Sequence, residues 1–267
     1  MAHTNISAKI KDEGALTHLK AYAIDGKLLR TGSGNFSSSG LARQDNDLIL
    51  TSDPATVQTP PETTADVVRQ AFEEGYRAVD TAAAYRDEEG VGEALKGRND
   101  VFLTTKLWND DQGFDEMLRA FAASARKLRR DVVDLYLIHW PRPRTNRYVD
   151  SWKAMIRLRD DGKIRAIGVS NFSRDHLERV IGETGVTSPV NQIELHPRFQ
   201  QRRLRAFHDA HGVRTESWSP LGRARFLGDP TVGGIAAKHG KTPAQVVIRW
   251  HLEQGLIVIP KTVHRNG

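Results

Sequence analysis

The chain has 267 residues, of which 39% are hydrophobic and 27% charged, a composition typical of a soluble globular protein. It contains no cysteine, which excludes disulfides and thiolate catalysis, and no apolar run reaches the roughly 18 residues needed to span a bilayer. The first residues lack the apolar core of a secretory signal, so we expect a cytoplasmic protein that does not associate with membranes.

The formal net charge is +6, which suits an anionic ligand such as a phosphorylated cofactor, or a nucleic acid. The densest basic cluster comprises Arg126, Lys127, Arg129 and Arg130, at the end of a predicted helix. Positive charge at that end complements the helix dipole. We favour this interpretation over a nucleic-acid-binding patch.

The first piece of the chain carries the pattern H-x-K-x4-D-x6-G-S-x-N over residues 18–35. This pattern resembles the HKD motif of the phospholipase D superfamily. The resemblance implies His18 as a nucleophile on phosphorus and Lys20 and Asn35 as phosphate ligands, with Asp25 and Ser33 in support. That superfamily joins two such motifs at one site, and only one occurs here. A non-catalytic remnant is therefore the favoured interpretation, with a dimeric phosphodiesterase or nuclease as the alternative.

Residues 19–33 also predict a β-hairpin that turns at Asp25-Gly26. The segment DLIL at 47–50 predicts a short apolar strand. Residues 51–64 contain three prolines and five threonines and are typical of a linker. We therefore predict two pieces of unrelated origin, a phospholipase D-like fragment at 1–56 and a second domain at 57–267.

The second piece alternates strands and helices. Thr64 is predicted to cap its first helix, and further helices are predicted at 115–130 and 242–255. Between the helices, seven mostly apolar strands are predicted at 76–82, 101–106, 133–139, 164–170, 190–194, 213–219 and 256–261. Such alternation predicts an α/β fold with a parallel sheet covered by helices.

Two architectures share this alternation. A doubly wound dinucleotide-binding sheet needs G-x-G-x-x-G after its first strand, and the nearest candidate, GSGNFSSSG at 32–40, has serine at the third glycine. We therefore predict a (β/α)8 TIM-type barrel that lacks one strand and its closing helix. Our hypothesis is that residues 48–50 fill the open strand position and that the hairpin packs at one end.

In such a barrel the active site lies at the carboxyl ends of the strands. Asp80, Lys106 and His139 stand at the ends of three successive strands, and Tyr85 follows the first of them. Tyrosine is a weak acid with a pKa of about 10, and a neighbouring lysine cation favours its ionised form. These four residues predict a site that transfers a proton to a carbonyl oxygen.

The chain is similar to the aldo-keto reductase family over residues 58–264, and most similar to bacterial members that reduce diketo sugar acids. The motifs that carry the resemblance are VDTAAAY, TTKLWND, DLYLIHWP, IGVSNFS, VNQIELHP, ESWSPLG and VIPKTV. It implies Tyr85 as general acid, Asp80 and Lys106 as the residues that tune it, and His139 as the residue that orients the substrate. The first strand and last helix of that family are the two elements missing here.

The resemblance also implies NADP(H) as the cofactor. Ser170, Asn171 and Gln192 would bind the nicotinamide amide, and Trp218 would stack on its ring. Ser219, Leu221 and Gly222 would follow the pyrophosphate, while Lys261 and Thr262 would meet the 2′-phosphate. Trp108 and Trp140 would line the substrate pocket. His264 replaces an arginine of the family, which predicts weaker binding of the 2′-phosphate.

We therefore expect a monomeric NADPH-dependent reductase of small aldehydes or ketones, with keto sugar acids among the candidate substrates. The alternatives are the phosphodiesterase acting through His18 and an inactive fusion of two gene fragments. No metal site is expected, because His208 and His211 are predicted at a surface-like helix end without acidic neighbours.

Overall fold

A computed structural model describes the backbone of residues 7–9, 20–24, 27–31, 49–51 and 61–260, and the side chains of residues 63–260. The strands in it are β1 (Ser7–Lys9), β2 (Lys20–Ile24), β3 (Lys27–Thr31), β4 (Ile49–Thr51), β5 (Ala78–Asp80), β6 (Phe102–Leu107), β7 (Val133–Ile138), β8 (Ile164–Ser170), β9 (Val190–Glu194), β10 (Arg214–Trp218) and β11 (Ile257–Val258). The helices are α1 (Pro61–Glu73), α2 (Glu88–Ala94), α3 (Phe114–Leu128), α4 (Tyr148–Asp160), α5 (Arg174–Thr184), α6 (Arg202–Ala210), α7 (Pro230–His239) and α8 (Pro243–Glu253).

The central sheet has eight strands in the order β4 to β11, and each neighbouring pair is parallel. Seven of these strands, β5 to β11, correspond to the seven predicted strands, the first and last being shorter than predicted. The α/β class and the parallel sheet are thereby confirmed. At the edge, Ile49 lies opposite Ala78 in the register of β4 and β5, where the sequence analysis placed residues 48–50.

The sheet curls, so that β5, which lies next to the edge strand β4, approaches β11 at the opposite edge. Ala78 of β5 packs against Ile257 of β11 and against Ile259. Partly buried Phe102 and Trp218 cover this seam, the contact between β5 and β11. The curl gathers the carboxyl ends of the strands around one mouth, as the barrel prediction required.

The strands β1, β2 and β3 form a separate antiparallel sheet, in which Ile24 of β2 lies opposite Lys27 of β3. Four residues of the proposed phosphodiesterase motif, His18, Asp25, Ser33 and Asn35, lie outside the described residues. Lys20 begins β2, with only its backbone described. The phosphodiesterase site and the division into 1–56 and 57–267 stay predictions.

The prediction of Thr64 as the N-cap of the first helix is wrong, because α1 already begins at Pro61. The fixed φ of proline suits the first helical position, where its missing N–H is not needed. The predicted helix at 242–255 is present as α8, and Thr242 caps it. The Thr242 hydroxyl accepts from the Gln245 N–H, and the Gln245 side chain accepts from the Thr242 N–H.

Alternation along the strands divides the buried side chains between the two faces of the sheet. On β7, Tyr136 and Ile138 pack with Trp152 and Met155 of α4, while Leu137 packs with residues of β8 and β9. Interior space is tight, since a Cβ on Gly168 would lie 2.6 Å from a methyl of Leu137. Residues of one parity therefore face the helices, and those of the other face the interior.

The basic cluster lies where the sequence analysis placed it. Arg126 and Lys127 are in the last turn of α3, and Arg129 follows in a left-handed conformation with φ 53°. The Arg129 guanidinium pairs with Glu93 of α2 at 2.6 Å. Among the described residues, no helix is long and apolar enough to cross a membrane.

Candidate active site

Asp80 and Lys106 form an ion pair at the carboxyl ends of two neighbouring parallel strands, β5 and β6. Lys106 Nζ donates to Asp80 Oδ1 and, at 3.0 Å, to the carbonyl oxygen of Thr81. Both charged side chains have an exposed fraction of 0%. Buried charges persist only when they are paired and hydrogen-bonded, and here each satisfies the other.

The surroundings keep Lys106 charged. Burial alone lowers the pKa of an ammonium group. The Asp80 carboxylate, with Tyr85 and Glu216, outweighs this effect and raises the pKa of Lys106 above its ordinary value. A permanent cation therefore lies inside the curled sheet.

Tyr85 ends a 3-10 turn, Ala83–Tyr85, that directly follows β5. Its hydroxyl lies 3.4 Å from Lys106 Nζ, and the ammonium lies 5.1 Å from the centre of the tyrosine ring. Arg86 follows with φ 60°, so the chain reverses there and leaves the phenol turned back towards the ion pair. The phenol is thus the outer end of a buried Asp80–Lys106–Tyr85 chain.

His139 follows β7 and completes the group of four. Its ring stands edge-on to Tyr85 at 5.7 Å and to Trp108 at 5.5 Å between ring centres. Burial, with a further contribution from Lys106, lowers the pKa of His139 to about 3. The imidazole is therefore neutral near pH 7, and among the described atoms its buried Nδ1 has no hydrogen-bond partner.

The residues proposed for the nicotinamide amide also lie together. Asn171 donates through Nδ2 to the carbonyl oxygen of His139 and to Ser170 Oγ, both at 3.0 Å. Asn171 Oδ1 accepts from Trp218 Nε1 at 2.9 Å, and Ser170 Oγ donates to the carbonyl oxygen of Gln192. These bonds link the ends of β7, β8, β9 and β10.

Gln192 is engaged on its nitrogen side by two carboxylates. Its Nε2 donates to Asp80 Oδ2 at 2.8 Å and to Glu216 Oε2 at 3.1 Å. Both N–H groups of the amide therefore serve acidic partners. The side-chain amide oxygen of Gln192, Oε1, takes no part in these two bonds and remains available to a ligand.

Glu216 is the residue of this group that sequence reasoning missed. It lies in the middle of β10, is 3% exposed, and its carboxylate joins the hydrogen-bonded group through Gln192. The signal was available in ESWSPLG, because strand alternation gives Glu216 the same parity as Trp218. Trp218 was proposed to contact the cofactor inside the barrel. A glutamate of the same parity on this strand is therefore expected to face the interior as well.

A cleft of about 890 Å³ opens beside these residues. Its volume is within the range of roughly 300–1,000 Å³ found for small-molecule sites. The lining does not include Tyr85 or His139; a hydrogen bond from Asn171, which lines the cleft, connects it to the His139 carbonyl oxygen. Representative lining residues are Trp140, Asn171, Trp218, Phe199, Arg203 and Phe207.

The remaining predicted contacts are distributed around the mouth. Trp108 begins the loop after β6, and the Trp140 side chain is 41% exposed beside the cleft. Ser219 and Gly222 adopt positive φ values of 47° and 54°, so the loop after β10 turns sharply. A Cβ on Gly222 would lie 2.2 Å from the Phe226 ring. Leu221 immediately precedes the 3-10 turn Gly222–Ala224, while Lys261, Thr262 and His264 lie outside the described residues.

The placement of His208 at the protein surface is wrong. Its side chain is fully buried on the inner face of α6, with Nδ1 2.8 Å from Thr215 Oγ1 and Nε2 3.0 Å from Asn191 Nδ2. The helix packs its inner face on β9 and β10, which the helical spacing alone did not reveal. Within residues 63–260, no group of three or more acidic or histidine side chains is arranged to hold a metal ion.

Comparison with known proteins extends over most of the chain. A model of the aldo/keto reductase family matches residues 51–266. An aldo-keto reductase from Mycolicibacterium smegmatis is 56% identical over 211 residues, which cover 78% of this chain and 77% of that protein. Methylglyoxal reductase DkgA from Escherichia coli K12 is 51% identical over 212 residues, covering 77% and 76%.

Solved structures give the same result. The apo crystal structure of Gox0644 superposes with a TM-score of 0.79 at 57% identity, covering 82% of this chain and 79% of that one. The same values hold for a variant of Gox0644 crystallised in complex with NADPH. An aldo/keto reductase from Brucella melitensis superposes with a TM-score of 0.76 at 49% identity, covering 82% and 84%. The phospholipase D resemblance of residues 15–56 receives no support from these matches.

Proposed function

The chain belongs to the aldo/keto reductase family and is an NADP-dependent oxidoreductase of small carbonyl compounds, and from that premise we propose that Tyr85 is its general acid. The observation that carries the proposal is the buried chain from Asp80 through Lys106 to Tyr85, which ends beside a neutral His139. A family relationship alone would leave the roles of these residues open, whereas their arrangement suits proton delivery to a carbonyl oxygen.

In the proposed reaction the Tyr85 hydroxyl donates its proton to the oxygen of the substrate carbonyl. The phenolate that remains carries a negative charge 3.4 Å from the Lys106 ammonium. An opposite charge at that distance stabilises the ionised form, so the proton leaves more easily. Asp80 holds the ammonium in place, and a hydride to the carbonyl carbon is the chemistry that NADPH would supply when bound.

His139 orients the carbonyl in this proposal. A neutral imidazole has one N–H to donate and one nitrogen that accepts. Because the pKa of His139 is lowered to about 3, the ring brings no second positive charge next to Lys106. It can therefore hold the carbonyl oxygen close to Tyr85 without competing for the role of acid.

The residues around the mouth fit a nicotinamide cofactor. Asn171 and Trp218 line the cleft. The hydrogen bond between them holds the indole ring at the edge of the cleft. In our proposal the nicotinamide would be held by Ser170, Asn171, the side-chain amide oxygen of Gln192 and Trp218. Ser219, Leu221 and Gly222 would lie along the pyrophosphate, and Lys261 and Thr262 would meet the 2′-phosphate.

We propose a small α-dicarbonyl or keto sugar acid as the substrate. The 51% identity to a methylglyoxal reductase supports the first, and the motif resemblance to diketo sugar acid reductases supports the second. Trp108 and Trp140 would contact the substrate on either side of His139, since one ring packs on the imidazole and the other follows it in the chain.

The test measures NADPH consumption with methylglyoxal and with a keto sugar acid, in the native protein and in Tyr85→Phe. Loss of the hydroxyl removes the general acid, so we expect turnover to fall by about 100-fold or more. Tyr136→Phe is the matched control, because Tyr136 is also buried but faces the helices. Native turnover in Tyr85→Phe would refute its role, and absence of carbonyl reduction by the native protein would refute the reductase proposal itself.

A further inference from the structure

Glu216 is a buried acid for which the reaction just described has no use. It lies opposite Gln192 of β9 and Ile257 of β11 in the register of the sheet, with its side chain inside the curl. Burying a carboxylate without need is costly, because the charged form loses its hydration. Its retention at 3% exposure inside the active site calls for a function.

Hydrogen bonds connect this acid to the proton donor. Glu216 Oε2 accepts from Gln192 Nε2 at 3.1 Å, and the same nitrogen donates to Asp80 Oδ2 at 2.8 Å. The other oxygen of Asp80 accepts from Lys106 Nζ, which lies 3.4 Å from the Tyr85 hydroxyl. One buried chain therefore runs from Glu216 to Tyr85.

We propose that Glu216 is a positioning residue that keeps the proton on Tyr85 at alkaline pH, and so extends carbonyl reduction to higher pH. This inference rests on the proposed role of Tyr85. Ionised Glu216 adds a second negative charge to the side of Lys106 that already carries Asp80. This negative charge opposes the field of Lys106 at the phenol and disfavours a further negative charge there, so the proton stays on Tyr85 to higher pH.

The groups facing this acid are few. From β5 comes Asp80, from β6 Lys106 and from the turn after β5 Tyr85, while β9 contributes the neutral Gln192. His139 after β7 is uncharged near neutral pH, and β11 presents the apolar Ile257. With Glu216 ionised and Tyr85 protonated, these groups carry one positive and two negative charges.

The charge on Glu216 varies with pH. Burial, reinforced by the negative charge of Asp80, raises the pKa of Glu216 above its ordinary value. The carboxyl is therefore neutral in acid and becomes charged as the pH rises.

The experiment compares the pH dependence of carbonyl reduction in the native protein and in Glu216→Gln. Reduction requires protonated Tyr85, so its rate falls at alkaline pH. Without the Glu216 charge we expect this fall to begin about one pH unit lower. The acid side of alcohol oxidation with NADP, which requires the phenolate, should move in the same direction.

Two further variants separate charge from structure. Glu216→Asp keeps the charge and should keep the native profile, while Glu88→Gln removes a buried acid that Thr105 and Ser124 hold on the outer face. The position of a pH limb does not depend on how much protein folds. An unchanged alkaline limb in Glu216→Gln, or the same displacement in Glu88→Gln, would overturn the inference.

A readout without turnover distinguishes this inference from the proposed function. In cofactor-free protein, the tyrosinate absorbance of Tyr85 is obtained by subtracting the titration of Tyr85→Phe. We expect this signal at lower pH in Glu216→Gln than in the native protein. If the titration moves but the native protein reduces no carbonyl, only the reductase proposal fails; if reduction is found and the titration does not move, only the role of Glu216 fails.

Discussion

Two neighbouring residues of β6 face two different regions of the molecule. Thr105 points to the helices, where its hydroxyl donates to Glu88 at 2.8 Å, and Ser124 donates to the other oxygen of Glu88. Lys106 points inside, where it joins Asp80 and Tyr85. Both regions bury polar groups among apolar side chains.

The difference lies in how the polar groups are satisfied. Outside the sheet, Glu88 is held by two hydroxyls, and His208 is held by Thr215 and Asn191. Inside, the Asp80 carboxylate is paired with the Lys106 ammonium, and this chain ends at the Tyr85 hydroxyl. Because a buried polar atom without a partner also occurs outside, at Trp152 Nε1, neither burial nor an unpaired atom identifies a catalytic site; the charged chain at the mouth of the curled sheet does.

Among the variants that test this difference between the two regions, the largest effect is expected for Lys106→Met. It leaves Asp80 buried without its cation, which is expected to lower the free energy of unfolding by about 3–5 kcal/mol. It also removes the charge that stabilises the phenolate, so turnover should fall by about 100-fold or more. Urea unfolding and NADPH consumption measure the two effects.

The double variant Asp80→Asn/Lys106→Met sharpens that result. Removing both charges should restore part of the lost stability, because no charge is then left unpaired. Turnover should stay low. A double variant that is as unstable as Lys106→Met would show that lost packing, and not the unpaired carboxylate, causes the destabilisation.

The next prediction concerns pH and the outer region. Burial lowers the pKa of His208 to about 4, so the folded state favours the neutral ring. Stability from this group is complete above the unfolded-state pKa of about 6.5 and is lost as the pH falls towards 4, by at most about 3 kcal/mol. His208→Gln should flatten this part of the stability profile, measured by urea unfolding at several pH values. An equally steep profile in the variant would assign the effect to other groups, such as His139 and His251.

The smallest effect is expected for Thr105→Val, on the opposite face of β6 from Lys106. The change removes one hydrogen bond to Glu88 and should lower the free energy of unfolding by about 1–2 kcal/mol. Because Thr105 and Glu88 lie on the helix-facing side of the sheet, away from Tyr85, carbonyl turnover and its pH profile should not change. A loss of turnover comparable to that in Lys106→Met would mean that the two faces are not separate in function.

Much of this arrangement could be predicted from the sequence because it depends on local pattern. Strand–helix alternation gave the parallel sheet, and the position of Asp80, Lys106 and His139 at strand ends predicted that they would meet. The burial of His208 and the start of α1 were predicted wrongly. The side of α6 that is buried depends on its contacts with β9 and β10, which are not visible in the helix sequence. The first turn of α1 begins at Pro61, whereas the choice of Thr64 as the cap considered only its hydroxyl.

Glu216 escaped prediction for a related reason. A single glutamate in a strand usually faces solvent, whereas here helices cover the outer face of the sheet and its curl encloses the inner face. The hydrogen bonds that give Glu216 a role come from Gln192 and Asp80, which lie on β9 and β5 and are distant in the sequence. These partners meet only in the folded, curled sheet, so no single segment of the sequence reveals them.

The seam at which Ala78 meets Ile257 and Ile259 also bears on how the molecule folds. Each neighbouring pair from β5 to β11 is joined through helices, two of them (α7 and α8) between β10 and β11, whereas this seam brings together the first and last strands of that series. Contacts between residues so far apart in the chain are entropically expensive to form early. We therefore expect the sheet to assemble strand by strand and to join at this seam late, so that the interior holding Lys106 and Glu216 excludes water only at the end of folding.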